Sequence, residues 1–310
     1  MKRPVARPVA LSSTQAFEPV NGVIRDRSAN DSRTQRDLLL RRSRLDTAVI
    51  EQVRATLTER DHDVVKTLAQ VHVATGLQLE RLHYVNGSAD TSGRRARRAL
   101  MRLVRLRVLA RLERRVGGAR RGSQGFVYAL DLVGQHVASQ GALARRRRRP
   151  FTPSRPFLTH RLAITELLVG QCEAAREGRL ELLEFQAEPA CWRTFVGRGG
   201  GRTVLKPDAF VRTAVSGWES GYFVEVDCAT ESVPAIARKL AAYRAYRSSG
   251  REERTLGYFP RALFLVPTEE RRRILAETIA RQPAEWLDMF RVGLLSDATH
   301  HLASREEVTP

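Results

Sequence analysis

The segment Tyr222–Cys228 constrains the fold more than any other part of this sequence. Because side chains alternate along a β-strand, its residues divide into two sets. The apolar set comprises Tyr222, Val224, Val226 and Cys228, and the mixed set comprises Phe223, Glu225 and Asp227. A carboxylate is costly to bury unless positive charge or hydrogen bonds compensate it. The sequence therefore predicts a strand whose two acids lie at an open sheet edge or beside a cation.

A third acid precedes this strand. Asp208 follows Pro207 on the preceding predicted strand, and a hairpin connection would bring it beside Glu225. Three converging carboxylates repel one another unless a divalent cation lies among them. We therefore predict a catalytic metal site in which Asp208, Glu225 and Asp227 bind Mg²⁺ or Mn²⁺. The alternative is a structural cluster of salt bridges.

Two further residues are candidates for the same site. Lys239 lies on the next predicted helix, from which it could orient a water molecule and neutralise charge on a phosphate. Glu166, on a long predicted helix, is a candidate additional ligand. The alternative for Lys239 is an ordinary position on an amphipathic helix, and for Glu166 an ordinary solvent-facing position.

The basic residues are concentrated in the first half of the chain. Residues 1–150 contain 31 Lys and Arg against 13 Asp and Glu, a net charge of +18, whereas residues 151–310 contain 22 against 21. A basic half joined to a nearly neutral half predicts a nucleic-acid-binding module attached to a second domain. The alternative is a basic tail combined with a general preference for arginine codons.

The pattern of residues 57–130 is typical of a winged helix-turn-helix. A helix that starts at Thr58 or Asp61 is broken at Gly76, and a short second helix follows. Asp90-Thr91-Ser92 would cap a third helix, and strands at 108–112 and 125–130 would form a hairpin. In this motif the third helix enters the major groove of DNA. The alternative is a small helical domain whose arginines are merely solvated.

The arginines of this region would contact DNA phosphates and base edges. The residues that we predict to bind DNA are Arg94, Arg95, Arg97, Arg98, Arg102, Arg120 and Arg121.

The second half predicts a mixed β-sheet flanked by helices. Its predicted elements are helix 158–176, strands 180–187, 204–213 and 222–228, helix 233–247, strand 262–266, a helix capped by Thr268, and strand 292–295. The glycine-rich segment Gly197–Gly201 lacks the Gly-Lys-Ser/Thr end of a phosphate loop, so we interpret it as a hairpin or a DNA-facing loop. The predicted fold class is α+β.

Composition changes along the chain suggest five segments. They are a disordered basic arm (1–35), a winged helix-turn-helix domain (36–140), an arginine-rich linker (141–156), a second domain (157–300) and a tail (301–310). Three scattered cysteines and the lack of any long apolar run predict a soluble, cytoplasmic protein with free thiols and no membrane association.

Two motifs, Pro207-Asp208 and Glu225-Val226-Asp227, resemble those of the PD-(D/E)xK, or restriction-endonuclease-like, nuclease fold. Together with the N-terminal pattern, residues from about 40 to 300 resemble the replication-relaxation family of actinobacterial plasmids and integrative elements, which is related to mobilisation relaxases. The matching parts are the strand at 223–227, Thr230-Glu231 and the helix that carries Lys239 and Tyr243. One position departs from the motif: Asp227 stands where a lysine is usual, and Lys239 would replace that lysine.

The resemblance implies DNA nicking or processing during conjugation or plasmid replication. The leading hypothesis is a winged-helix protein that binds an origin-like site in double-stranded DNA and, if it is an active enzyme, a Mg²⁺- or Mn²⁺-dependent endodeoxyribonuclease. Other mobilisation or replication proteins are implied partners, and a palindromic target would imply a homodimer. The alternatives are a non-catalytic replication or transfer factor with a degenerate nuclease fold, and a transcription regulator whose second domain senses a ligand or dimerises. Tyr243 and Tyr246 are expected to pack, which argues against a tyrosine-linked mechanism.

Overall fold

A computed structural model describes residues 47–85, 87–112, 126–139, 154–197, 199–229 and 231–303. The predicted arm 1–35, the DNA-binding candidates Arg120 and Arg121, Thr230 and most of the predicted linker 141–156 lie outside these ranges. Helix α1 (Thr47–Ala55) belongs to a first unit, Met1–Thr56, and the residues from Leu57 onward form a second compact unit.

The second unit begins with three helices and a small antiparallel sheet. Its elements are α2 (Glu59–Val71), β1 (Ala74–Thr75), α3 (Gly76–His83), α4 (Ala89–Arg105), β2 (Leu109–Leu112), β3 (Val127–Leu130) and α5 (Leu132–Ala138), and the strand order is β1-β3-β2. The buried apolar residues recur at helical spacing in α2 and α4, which is why these segments pack as helices. We call residues 57–138 the N-terminal block.

The helix boundaries are set by local hydrogen bonds. The Thr58 hydroxyl accepts a hydrogen bond from the Asp61 amide, and the Asp61 carboxylate accepts one from the Thr58 amide. Thr58 is therefore the N-cap of α2, and the predicted start is confirmed. The predicted break at Gly76 is wrong, because α2 ends at Val71 and His72 adopts a positive φ of 74°. Gly76 instead begins α3.

The cap of α4 also differs from the prediction. Ser88, and not Asp90-Thr91-Ser92, is the N-cap, and its hydroxyl accepts a hydrogen bond from the Thr91 amide at 3.4 Å. The helix therefore begins one residue earlier than the predicted cap, and Asp90 lies within its first turn, where a negative charge complements the helix dipole.

The remaining elements form a mixed sheet with helices on both faces. They are α6 (Arg155–Arg176), β4 (Glu181–Ala187), β5 (Arg193–Val196), β6 (Arg202–Leu205), β7 (Ala209–Val215), β8 (Trp218–Val226), α7 (Val233–Arg247), α8 (Arg251–Leu256), β9 (Arg261–Val266), α9 (Glu269–Ala280), β10 (Phe290–Leu294) and α10 (Ala298–Ala303). Two short 3₁₀ helices, Ala284–Met289 and Leu295–Asp297, flank β10. The predicted mixed α+β architecture is confirmed.

The main sheet has five strands in the order β10-β9-β8-β7-β4. Strand β8 pairs antiparallel with β7 and parallel with β9, while β10 is parallel to β9 and β4 is antiparallel to β7. The carboxyl ends of β8, β9 and β10 therefore meet at one edge, and the start of β7 lies beside the end of β8. This edge carries the predicted site.

Strand β8 has the two faces that its alternation predicts. Tyr222, Val224 and Val226 pack in a core with α6 and α10, whereas Phe223 packs in a second core with α7 and α9. Glu225 shares the Phe223 face. The strand ends at Val226, so Asp227 lies just beyond it.

The predicted strand 204–213 is divided into β6 and β7. Residues Lys206, Pro207 and Asp208 interrupt it, and β6 pairs with β5 in a separate two-stranded hairpin. Proline has no amide hydrogen to donate to a ladder, which explains the interruption at this point. The break places Asp208 at the sheet edge, where its Oδ2 accepts a hydrogen bond from the Val226 amide.

The N-terminal block packs directly on α6. Val71 and Leu82 share a core with Ile164 and Leu167, and the Thr165 hydroxyl donates to the Val73 carbonyl at 2.7 Å. The helix that supports the main sheet therefore also supports the N-terminal block. Within the described ranges, no helix combines the length and the apolar character that a membrane span requires.

Candidate functional site

Glu225 lies almost completely buried on β8, with 2% of its side chain exposed. Its Oε2 accepts a hydrogen bond from Lys239 Nζ at 2.7 Å, and its Oε1 accepts one from the Tyr243 hydroxyl at 2.6 Å. Lys239 and Tyr243 are four residues apart on α7, so they extend from the same face of that helix. The structure thus brings Glu225 and Lys239 together, as predicted, and adds the tyrosine hydroxyl.

Lys239 links two carboxylates. Its Nζ also donates to Glu231 Oε1 at 2.6 Å, and its side chain is 33% exposed. Burial lowers the pKa of Lys239, but the carboxylates of Glu225 and Asp208 outweigh this effect and raise the pKa above its ordinary value. Lys239 is therefore held as a cation between β8 and the segment that precedes α7.

The pKa of Glu225 is raised to about 7 by burial and, in the same direction, by the negative charge of Asp208. The hydrogen bonds from Lys239 and Tyr243 act in the opposite direction. Asp208, which directly precedes β7, therefore lies close enough for its charge to affect the ionisation of Glu225.

Asp208 directly precedes β7, where it completes the hydrogen bonding of β8. Its Oδ2 accepts from the Val226 amide at 2.7 Å, and its own amide donates to the Val224 carbonyl at 3.1 Å. The carboxylate thus serves as a backbone acceptor where the ladder is interrupted by Pro207. Its Oδ1 lies 3.2 Å from Nε2 of His160, on α6.

His160, Glu188 and Asp208 form a group that could hold a divalent cation. One donor atom of each residue lies within 4.8 Å of the other two. Glu188 directly follows β4, and its amide donates to the Asp208 carbonyl at 3.0 Å, which fixes the two acids side by side. His160 Nε2 is 3.9 Å from Glu188 Oε1.

Charge in this group is balanced by two basic side chains. Hydrogen bonds to the Asp208 carboxylate and to the Cys228 thiol raise the pKa of His160 to about 10. Arg161 Nη2 lies 3.4 Å from Glu188 Oε1. Burial raises the pKa of Glu188, and the arginine opposes that shift.

Asp227 does not join the other two predicted ligands. Its Oδ2 accepts from Nε and Nη2 of Arg271, on α9, at 2.7 and 2.6 Å. Its Oδ1 has no hydrogen-bond partner among the described residues. Asp227 therefore forms a buried ion pair with α9, while Glu225 pairs with α7.

Glu166 also lies away from the predicted metal site. It accepts a hydrogen bond from Gln78 Nε2 at 2.8 Å and pairs with Arg81, both on α3. Arg81 further pairs with Glu173 at 2.6 Å, and hydrogen bonds to Glu173 raise the pKa of Arg81. Glu166 therefore joins α6 to the N-terminal block.

A metal fits the described donors in one arrangement only. The oxygens of Glu225 accept bonds from Lys239 and Tyr243, whereas His160, Glu188 and Asp208 converge. A donor set of one imidazole and two carboxylates suits Mn²⁺ better than Mg²⁺, which prefers oxygen ligands alone.

A surface cavity of about 500 Å³ opens beside this group, lined by Arg155, Pro156, Phe157, Thr159, His160 and Cys228. It combines an exposed cation, an exposed aromatic ring and the His160 imidazole. These lining groups suit an anionic ligand that also has a planar group.

Four arginines of α4 form an exposed basic surface: Arg94, Arg95, Arg97 and Arg98. The fifth predicted DNA contact on this helix, Arg102, instead pairs with Asp61, whose side chain is 2% exposed. The opposite face of α4 is buried through Ala96, Leu100 and Leu103.

Sequence reasoning missed His160, Glu188 and Arg271. Glu188 had a usable signal: it directly follows a predicted strand, and an antiparallel neighbour starting at Asp208 would place it beside that acid. His160 and Arg271 lie on helices with no local mark of function. Tyr243 and Tyr246 are fully buried, as their predicted packing role requires.

The replication-relaxation family matches residues 65–262, a range that extends from α2 into β9 and includes His160, Glu188, Asp208, Glu225 and Lys239. Comparison with curated proteins and with solved structures gives no significant match. Because the matched range covers more than half of the sequence, the chain belongs to the replication-relaxation family.

Proposed function

We propose that this protein binds double-stranded DNA at an origin-like site and nicks one strand, with Mn²⁺ or Mg²⁺ as cofactor, during replication or conjugative mobilisation of a plasmid or integrative element. Membership of the replication-relaxation family suggests a role in replication or mobilisation. The observation that carries the nicking proposal is the convergence of His160, Glu188 and Asp208 beside Glu225 and Lys239.

The finer fold assignment is part of this proposal. Three helices followed by an antiparallel pair of strands suit a winged helix-turn-helix, and the order α6-β4-β7-β8-α7-β9 suits a restriction-endonuclease-like domain. In the winged helix-turn-helix, α4 would enter the major groove, where its four exposed arginines would contact phosphates and bases. A palindromic target would recruit two copies of the chain.

Different residues of the site would have different roles in phosphodiester hydrolysis. Glu188, Asp208 and, after release of its proton, His160 would hold the cation. The bound cation would polarise the phosphate and make a bound water more acidic. Lys239, fixed by Glu225 and Glu231, would stabilise the negative charge that develops on the phosphate. Asp227 is not assigned to the metal, because Arg271 pairs with it.

Nicking of a supercoiled plasmid carrying the element's origin tests this proposal. Wild type, Asp208→Asn and Glu188→Gln are incubated with Mn²⁺ or Mg²⁺, and the nicked circle is quantified. A metal supplies several kcal/mol of transition-state stabilisation, so each variant should lose about 100-fold or more in rate. The matched control is Asp288→Asn, whose carboxylate is 67% exposed and pairs with Arg247 on the surface. Wild-type rates in Asp208→Asn would overturn the nicking proposal.

A non-catalytic replication or transfer factor is the second candidate. It is favoured by the pairing of each acid with a protein cation: Glu225 with Lys239, Asp227 with Arg271, and Asp208 with His160. The negative charges of such a cluster are balanced by protein cations, without a metal. This candidate predicts specific DNA binding with no nicking in any divalent cation, so the same plasmid assay separates the two.

A further inference from the structure

The β5–β6 hairpin is anchored directly beside Asp208. Strand β6 ends at Leu205, three residues before that acid, and the Cys191 thiol at the base of the hairpin donates to the Pro207 carbonyl at 3.0 Å. Phe195 is buried against Tyr246 of α7, with ring centroids 5.1 Å apart. With four residues in each strand, the hairpin extends about 13 Å from this base.

The charge of the hairpin is one-sided. Residues 193–206 contain four basic residues and no acid, in a half of the chain whose net charge is close to zero. Arg193 is committed to Glu252, with Nε to Oε1 at 2.8 Å. Arg202 and Lys206 are exposed, and no ion pair involves either of them among the described residues.

Gly199 and Gly201 in the turn are not explained by packing. An added Cβ at Gly199 or Gly201 would meet no atom within 4 Å. Gly200, with a φ of 75°, needs glycine for its conformation. Val196, the last residue of β5, is 69% exposed. Glycine where the fold has room for a side chain is typical of a backbone that a ligand approaches closely.

We infer that the β5–β6 hairpin is a second DNA-binding element, which contacts the sugar-phosphate backbone next to the nicking site. The inference rests on the proposed DNA binding, and it adds a contact surface that is separate from α4. Arg202 and Lys206 contact phosphates, while the Gly199–Gly201 backbone approaches the DNA too closely for side chains. The element would hold the DNA at the sheet edge that carries Asp208.

Two sets of variants test this inference by different means. Arg202→Ala with Lys206→Ala removes charge, and Gly199→Ala with Gly201→Ala adds only two methyl groups at positions where the fold has space. Arg273→Ala, at an exposed arginine of α9, is the control for loss of charge. The affinity of each full-length protein for a fluorescent DNA duplex is measured by anisotropy at several salt concentrations. The duplex carries the replication origin of the plasmid or integrative element. Thermal unfolding of each variant checks that the fold is intact.

The expected effects differ between the two sets. Each lost phosphate contact reduces the slope of log K against log salt by about 0.9, so the double charge variant should bind about 30-fold more weakly at 0.15 M salt. The glycine variant should keep its slope and its unfolding temperature but bind about fivefold more weakly, as for one lost hydrogen bond. Arg273→Ala should bind within about twofold of the wild type.

The anisotropy titration does not measure nicking, so its result is independent of the result of the plasmid assay. If the wild type binds DNA and both hairpin variants bind like Arg273→Ala, the hairpin inference is overturned while α4 binding stands. If the wild type does not bind DNA at all, the inference and the proposed DNA binding are both overturned.

Discussion

Removal of Lys239 is the sharpest test of the electrostatics of this site. Lys239→Ala leaves the Glu225 carboxylate buried with only the Tyr243 hydroxyl as a partner. Breaking a buried ion pair by removing one partner costs about 3–5 kcal/mol, and the partial exposure of Lys239 reduces this. We expect a loss of about 2–3 kcal/mol in the free energy of unfolding at pH 8.

The loss should depend on pH in a defined direction. Burial and Asp208 raise the pKa of folded Glu225 to about 7, so its contribution to stability is present below its unfolded pKa and is lost as the pH rises. Without Lys239 that folded pKa is higher still, so the variant continues to lose stability above pH 7, where the wild type no longer does. A shift of one pKa unit corresponds to about 1.4 kcal/mol, so the destabilisation should be about 1 kcal/mol greater at pH 8 than at pH 6.

Urea-induced unfolding followed by circular dichroism at pH 6 and pH 8 measures both quantities. The matched control is Arg238→Ala, which removes an exposed cation from the neighbouring position of α7 and should change stability by less than about 0.5 kcal/mol. The double variant Glu225→Gln with Lys239→Met should recover part of the loss, because no unpaired charge remains buried. Equal stability of Lys239→Ala and Arg238→Ala at pH 8, or a loss that does not grow with pH, would refute this reasoning.

Two further predictions concern the N-terminal block. Arg94→Ala with Arg98→Ala should lower the slope of log K against log salt by about 1.8 in DNA-binding titrations, and an unchanged slope would show that these arginines are merely solvated. Asp61→Ala should destabilise the protein by about 2 kcal/mol in urea unfolding at pH 7, because the α2 cap to Thr58 and the pair with Arg102 are both lost. Burial raises the pKa of Asp61, but the bonds from Arg102 and Thr58 lower it below its usual value, so the effect should be present at neutral pH and disappear as the pH falls below about 4. A deficit that persists in acid would contradict that account.

The elements of the fold were largely predictable, because their signals are local. The start of α2 follows from Thr58, whose side chain bonds the amide three residues later. The buried side of α4 follows from the helical spacing of its apolar residues. The division of 204–213 was missed although Pro207 is visible in the sequence. A proline at a strand edge can be tolerated, and only the pairing of β6 with β5 turned the position into a break.

The site was predictable in part. Glu225 and Lys239 meet because a strand and the helix that follows it pack together, and Asp208 is near them because β7 and β8 pair. The convergence of His160 and Glu188 on Asp208 depends on two elements, α6 and the end of β4, that no sequence motif links to it. Asp227 was predicted as a ligand but is not assigned to the proposed metal site. Its pairing with Arg271 was not predictable, because Arg271 lies 44 residues away in the chain, on α9.

The sequence by itself determined that Tyr222–Val226 is a buried strand with two faces and that Glu225 requires a compensating partner, because alternation and the cost of burying charge act within a few residues. Only the tertiary structure decided which partner each acid received. Lys239, Arg271 and His160 come from three different helices, and their reach depends on how those helices pack around the sheet. Pairing of this kind is a property of the assembled core, so the same acids that suggested one metal site are distributed among three cations in the fold.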